Sequence, residues 1–489
     1  MRRSHNRRRS PYDISRAVVL LVILALVALL VFGAVRLLTL STAPAPTPTP
    51  QPSASPSAGE PEETAAQEEA PGESEGGSLY LDIAVDVENR TLQVSQQVQW
   101  VNDTGSEQEE IVFRMYPNAL NNGEDTPLAE ELAQEAFPNG AQTEGIVVRG
   151  AAVDGRAAEF SVDGALRTTL RVRPAAAVPE DGEVSVTLLY TLALPQGDYP
   201  LGYSSSGLQA CWFYPVRALW EDGGWHLTDV VENGGFPWYY PASQVYAAIR
   251  LPQGVTMCST GSVQTTAQTE EGVIYYVSAA GARDFAFCLT ELESRYERTE
   301  GGVEFLALSQ SSRYSRLAGD TAAGMAAFLT EFFGSCPIEE LELVQAELAM
   351  EVSVHSGLVL FDRDFLRNQS ESLPAAAAAA TAWQWFGGAV GGGYADDRDL
   401  HAPLCDYLAA RYLQQDAEEG AETDGWISEG AEKIEAIRAY VGEERFDEAL
   451  KEYYRQYAGK KGGAEAFAAL CGEEYEAEVF ARLRGYGVP

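Results

Sequence analysis

Residues 375–412 narrow the choice of fold more than any other part of this 489-residue chain. They read AAAAAATAWQWFGGAV and then GGGYADDRDLHAPLCDYLAARY. No breaker interrupts residues 375–386, and alanine is the strongest helix former, so the pattern predicts a helix there. Pro374 stands just before it, where a missing backbone N–H costs little. Gly387-Gly388 and Gly391-Gly392-Gly393 do not follow a strand and open a helix, so they are not a phosphate cradle. They predict a mobile loop after the helix.

The N-terminus is of a different kind. Six arginines against Asp13 alone mark residues 1–16, and an uncharged apolar run of nineteen residues follows at 17–35. That run is long enough for a membrane-spanning helix and too long for the apolar core of a cleaved signal peptide. The arginine excess places the N-terminus in the cytoplasm, so the expectation is a single-pass signal anchor over 17–40 with everything after it extracytoplasmic. Residues 41–78, rich in Pro, Thr, Ser, Ala and Glu, cannot bury enough surface to fold and predict a disordered linker. Setting aside the seven basic residues and one acidic residue of the first forty leaves 27 Lys+Arg against 71 Asp+Glu, a formal charge of −44. Such a surface repels nucleic acid and anionic lipid. Six cysteines occur without a C-x-x-C pair, which excludes zinc-ribbon and thioredoxin readings. In an oxidising exterior some could be bridged, no more than one bridge is expected, and the pairing is left open.

From Leu79 the texture alternates. Leu81, Ile83, Val85 and Val87 share one face, as do Leu92, Val94, Val98 and Trp100 after the turn residues Glu88-Asn89-Arg90. Further short runs at 111–118, 145–148, 168–172 and 184–190 predict an antiparallel β domain over 79–296. The aromatics of residues 201–240 read first as core and interdomain packing, second as a sugar or peptide platform. Beyond 297 a strand at 303–308, a helix at 321–333, strands at 341–348 and 358–360 and a run of helices predict an α+β second domain to residue 489.

Several of these stretches resemble the gluzincin aminopeptidases, the family of membrane alanyl aminopeptidase. The clearest is Gln384-Trp385-Phe386-Gly387, since the family's zinc helix reads H-E-x-x-H-Q-W-F-G. Others are Tyr116-Pro117-Asn118, Arg283-Asp284-Phe285-Ala286, the segment Phe332 to Pro337, and the helix leading to Tyr453-Tyr454. The resemblance covers most of 79–489 and implies an N-terminal β domain followed by a thermolysin-like peptidase domain.

In that register the chemistry is missing. The two histidine positions fall on Ala379 and Trp383, and the general base on Ala380. The third ligand, with eighteen residues intervening after Trp383, falls on Ala402, with Tyr407 matching the tyrosine that follows it. Val354 stands where a glutamate grips the substrate's amino group, and Glu351 is too far along to replace it. Ile427 stands where a tyrosine stabilises the oxyanion. Zinc needs lone pairs from His, Cys or carboxylate. Alanine has none, and the indole N–H gives a proton rather than a pair. The resemblance therefore implies a pseudoenzyme with no cofactor expected, where active relatives hold zinc.

Its expected work is to bind a peptide or protein in a cleft lined by Trp383, Gln384, His401 and His355. A metal-dependent peptidase with displaced ligands, built from His401, His355 and an aspartate, stays open as an alternative, as does a structural cell-envelope protein. The segment Gly202 to Gly207 is not a nucleophile elbow, because Ser206 stands where the second glycine is required.

Overall fold

Alternation decides the first half of the molecule. In the strand Ser78–Asp86, Leu79, Leu81 and Ile83 are buried while Tyr80 faces out. In Thr91–Val101, Leu92, Val94, Val98 and Trp100 are buried. Between them Arg90 adopts φ +56, and the Asp86 carboxylate accepts from the Asn89 N–H at 2.9 Å, closing the turn. The computed structural model describes residues 76–120, 127–141, 144–221, 223–227, 240–393, 397–416 and 428–485. The basic segment, the signal anchor and nearly all of the linker lie outside the described residues, as does Ile427. Among the described residues no helix is long and apolar enough to cross a membrane. By contacts the chain divides into units 1–69 and 70–489, and every described residue belongs to the second.

Its β portion is built on an eight-stranded sheet, with two further four-stranded sheets and a two-stranded ribbon. Pairing in the large sheet is antiparallel, as expected, with one exception: Ser78–Asp86 lies parallel to Ser243–Leu251. Local alternation cannot reveal that pairing, because its partner is some 165 residues away. Of the aromatics in 201–240, Trp212, Phe213 and Tyr214 are core residues, while 228–239 lie outside the described residues.

A five-stranded sheet comes next, in the order Ser294–Glu300, Val303–Ser309, Glu340–Ala346, Leu358–Asp362 and Val352–His355. The three middle strands are parallel, and Val352–His355 pairs antiparallel at the edge. Parallel strands need a crossover, here the helix Ser312–Phe333, which ends on Gly334 at φ +85. Leu358, Val359, Leu360 and Phe361 are all buried, because both faces of this sheet are covered. One face carries Leu306, Leu308, Val344, Ala346, Leu358 and Leu360 into the β-domain core. The other carries Phe305, Ala307, Leu341, Leu343, Val359 and Phe361 into a second core with the helices. The result is the multidomain α+β architecture expected.

Candidate functional site

The central helix runs Leu373–Trp383 with proline in its first turn. Ala377, Ala378, Ala380 and Ala382 are buried, and such small side chains let it pack closely on the helices Ser312–Phe333 and Ala402–Asp416. It ends three residues before the expected Phe386. Beyond it the Gly388, Ala389 and Val390 N–H groups donate to the carbonyls of Trp383, Gln384 and Trp385, at 2.8, 2.8 and 2.9 Å. These five-residue closures satisfy carbonyls that the helix end would otherwise orphan. The turn depends on Gly387, at φ +143. A Cβ there would stand 2.3 Å from Trp383 Nε1, so the indole lies against the turn. Trp385 and Phe386 are fully buried core residues, with Trp385 Nε1 donating to the Ser335 carbonyl at 3.2 Å.

The positions that would carry chemistry are apolar. Ala380 is buried, Ala379, Trp383 and Val354 are half-buried, and Ala402 is exposed at the start of Ala402–Asp416. Val352 and Val354 pack toward the helical core, and the edge strand touches the central helix. Zinc does not fit this set: none of these side chains has a pair to donate. Nor do the histidines assemble a substitute. His401 is buried with Nε2 on the Tyr453 hydroxyl at 2.8 Å. His226 is exposed, and His5 lies outside the described residues. Nearby Asp399 is bound by Arg398 at 2.8 Å, and Asp406 accepts from Ser428 at 2.7 Å. Among the described residues no group of three His, Cys, Asp or Glu is placed to hold a metal ion.

The polar chemistry near the central helix lies elsewhere, on Arg283 and Asp284. Arg283 donates to the carbonyls of Gly388 (2.5 Å), Tyr240 (2.9 Å), Ala389 (2.8 Å) and Lys460 (3.3 Å). One guanidinium thus ties the β domain, the turn after the central helix and the 460 region together. Gly391 leaves room for it, since a Cβ there would stand 2.3 Å from the guanidinium carbon. Asp284 accepts from the Ser356 N–H at 2.9 Å and hydroxyl at 2.7 Å, and its other oxygen meets His355 Nδ1 at 2.6 Å. His355 Nε2 in turn meets the Ser353 hydroxyl at 2.9 Å. Gln384 closes the set, accepting from the Gly357 N–H at 3.0 Å and donating to the His355 carbonyl at 3.1 Å. Burial pushes the Asp284 carboxyl up, but the His355 imidazole and the Ser356 donors outweigh it and hold the group below its usual range.

Ser353, His355 and Asp284 stand in the order of a serine hydrolase, yet His355 is wholly buried and Ser353 is 4% exposed. The Trp212 ring also lies 4.7 Å from the imidazole. A nucleophile must reach its substrate, and this one is sealed, so the arrangement locks the hairpin to the β domain. The sequence marks Arg283-Asp284 only as a motif, since their partners lie 43 to 177 positions away.

Beside the lock opens a pocket of about 330 Å³, lined among others by Gly261, Ser262, Glu340, Ser356, Gln384 and Gly388. Burial raises the Glu340 carboxyl. On the same strand Glu342 turns toward the β domain, where it accepts from the Ser259 N–H at 2.5 Å. Burial, then the charge of Glu340, pushes its pKa up to about 8.

No family model matches the sequence, and no curated protein matches it. Solved structures do. The chain is similar to an M1 zinc metallopeptidase of Deinococcus radiodurans, with a TM-score of 0.59 and 13% identity over 85% of this chain and 94% of that one. It is similar to a glutamate-to-alanine variant of an M1 zinc metallopeptidase from the same organism bound to a Tyr-Ser-Ala substrate, with a TM-score of 0.58, 13% identity, and 85% and 95% coverage. A two-domain M1 zinc metallopeptidase variant bound to L-arginine gives a TM-score of 0.56, 14% identity, and 84% and 93% coverage. The fold is that of the M1 zinc metallopeptidases, the gluzincin aminopeptidases, and this chain carries it without the zinc motif.

Proposed function

We propose that this chain is a membrane-anchored, extracytoplasmic protein that keeps the M1 peptidase fold without its catalysis and binds a peptide or protein partner beside the central helix. The observation that carries the reading is the joint replacement at Ala379, Ala380, Trp383, Ala402 and Val354, joined in the sequence by Ile427. Each is a residue unable to ligate metal, move a proton, grip an amine or stabilise an oxyanion. The anchor rests on the apolar run 17–35 and its arginine flank. Ligand binding is supported by the pocket beside Gln384 and by the peptide and amino acid bound to the similar structures. Trp383 supplies an aromatic surface on which a ligand side chain could stack.

Metal analysis of the purified chain, paired with an aminopeptidase assay, is the test. The expected result is no retained zinc and no turnover, with saturable binding of short peptides. Stoichiometric zinc together with chelator-sensitive turnover sinks the proposal. Absence of any saturable peptide binding favours a structural envelope role instead. Protease shaving of intact cells checks the topology, since an extracytoplasmic domain is cleaved and a cytoplasmic one is protected.

A further inference from the structure

Two of the six cysteines face each other across a strand pair. Thr256–Ser259 and Phe287–Thr290 run antiparallel with Cys258 directly opposite Cys288, and the two are 1% and 2% exposed. Directly opposed residues in such a pair have Cα atoms about 4.5–5.5 Å apart, within the range of roughly 4.4–6.8 Å that a disulfide spans. The Cys288 side chain is the foremost influence on the Cys258 thiol, ahead of burial, and together they push it well up. Cys211 is the nearest competitor, but Cys288 stands opposite Gln209 on that side. Cys211 lies past the end of that paired strand and stands opposite no cysteine. Cys336 donates to the Ile338 carbonyl and Cys405 to that of Phe386. Among the described residues no other two cysteines are opposed in a strand register.

We propose that Cys258 and Cys288 form a disulfide that closes the loop carrying the edge hairpin and the Arg283–Asp284 lock. That loop contains the paired strands Ser262–Gln268 and Val273–Ala282, whose residues line the pocket beside the central helix. The bond ties off the base of this hairpin and fixes where Arg283 and Asp284 emerge from it. Formation is a thiol–disulfide exchange with an external disulfide. The Cys258 thiolate attacks it, forming a mixed disulfide and releasing one thiol. The Cys288 thiolate then attacks the Cys258 sulfur and releases the second, so two protein thiols are oxidised and one external disulfide is reduced to two thiols. Both sulfurs end up inaccessible, so the exchange belongs to folding, before the strands close over them. Only the supply of oxidant in the cell rests on the extracytoplasmic reading.

The test uses the unaltered full chain in detergent, denatured and reduced, then refolded with either oxidised glutathione or dithiothreitol. After oxidative refolding the expected result is four alkylatable thiols of the six, a mass lower by about 2 Da, and one linked peptide joining Cys258 to Cys288. The dithiothreitol sample unfolds several degrees lower. Six alkylatable thiols after oxidative refolding, or a linked peptide containing another cysteine, overturns the proposal. Refolding in vitro does not depend on compartment, so its failure and a failure of protease shaving to show export are read separately.

Discussion

Alternate residues of the single strand Val352–His355 look onto two different chemistries. Toward the β domain, Ser353 and His355 join Asp284 in a chain of hydrogen bonds in which both imidazole nitrogens are engaged. Toward the central helix, Val352 and Val354 join Ala379, Ala380 and Trp383 in a face with nothing to offer a metal or a scissile bond. The polar groups of this hydrogen-bonded chain are partnered, as burial requires. The positions that would do chemistry are filled with carbon.

The sharpest attempt to break this contrast is to put donors back. Ala379→His, Trp383→His and Ala402→Glu together are expected to retain roughly one zinc per chain through dialysis, because two imidazoles and a carboxylate complete a three-ligand site. Elemental analysis reads the outcome, and a metal-free triple variant means that the three positions do not converge. Asp284→Asn attacks the opposite side. Losing the charge that anchors His355 and Ser356 is expected to cost about 2–4 kcal/mol at neutral pH in chemical denaturation. The folded pKa of Asp284 lies below its ordinary value, so its contribution is present above about pH 4 and is lost as pH falls through the folded value. The gap to the variant should narrow as the pH is lowered below about 4.

Glu342 works in the reverse direction. Its pKa rises to about 8 on folding, so its share of stability is full below its unfolded value of roughly 4.5 and is lost as pH rises through about 8. Glu342→Gln is expected to be more stable than the natural chain by about 1–3 kcal/mol at pH 9 and nearly equal to it at pH 5. A parallel pH dependence in both proteins rejects the assignment. The smallest effect belongs to the apolar face. Val354→Thr adds one hydroxyl at a half-buried site and should cost under about 1 kcal/mol, whereas a larger loss means that this face is packed as tightly as the lock.

Much of the architecture was readable because it is periodic. The buried set Leu81, Ile83, Leu92, Val94, Val98 and Trp100 follows from alternation alone. The central helix follows from its alanines, although its end did not. Where it stops depends on Gly387 and on carbonyls closed five residues on, which propensity does not encode. The proposed loss of metal donors rests on residue type and register alone, where a missing lone pair is visible. The lock was not. Arg283 and Asp284 stand in the sequence only as part of a short motif until the chain folds and sets a glycine turn, a hairpin and Gln384 around them. Nothing near them in sequence signals that. The opposed pair Cys258 and Cys288 is of the same kind, since a register must exist before two thiols can face each other.

The five-stranded sheet belongs to two cores at once, and that decides how the molecule can be taken apart. A fragment starting at residue 297 would leave Leu306, Leu308, Val344, Ala346, Leu358 and Leu360 as a wet, sticky wall. Such a patch drives aggregation. The helical half, cut free, would need another surface to cover that wall before it could stand as a separate module.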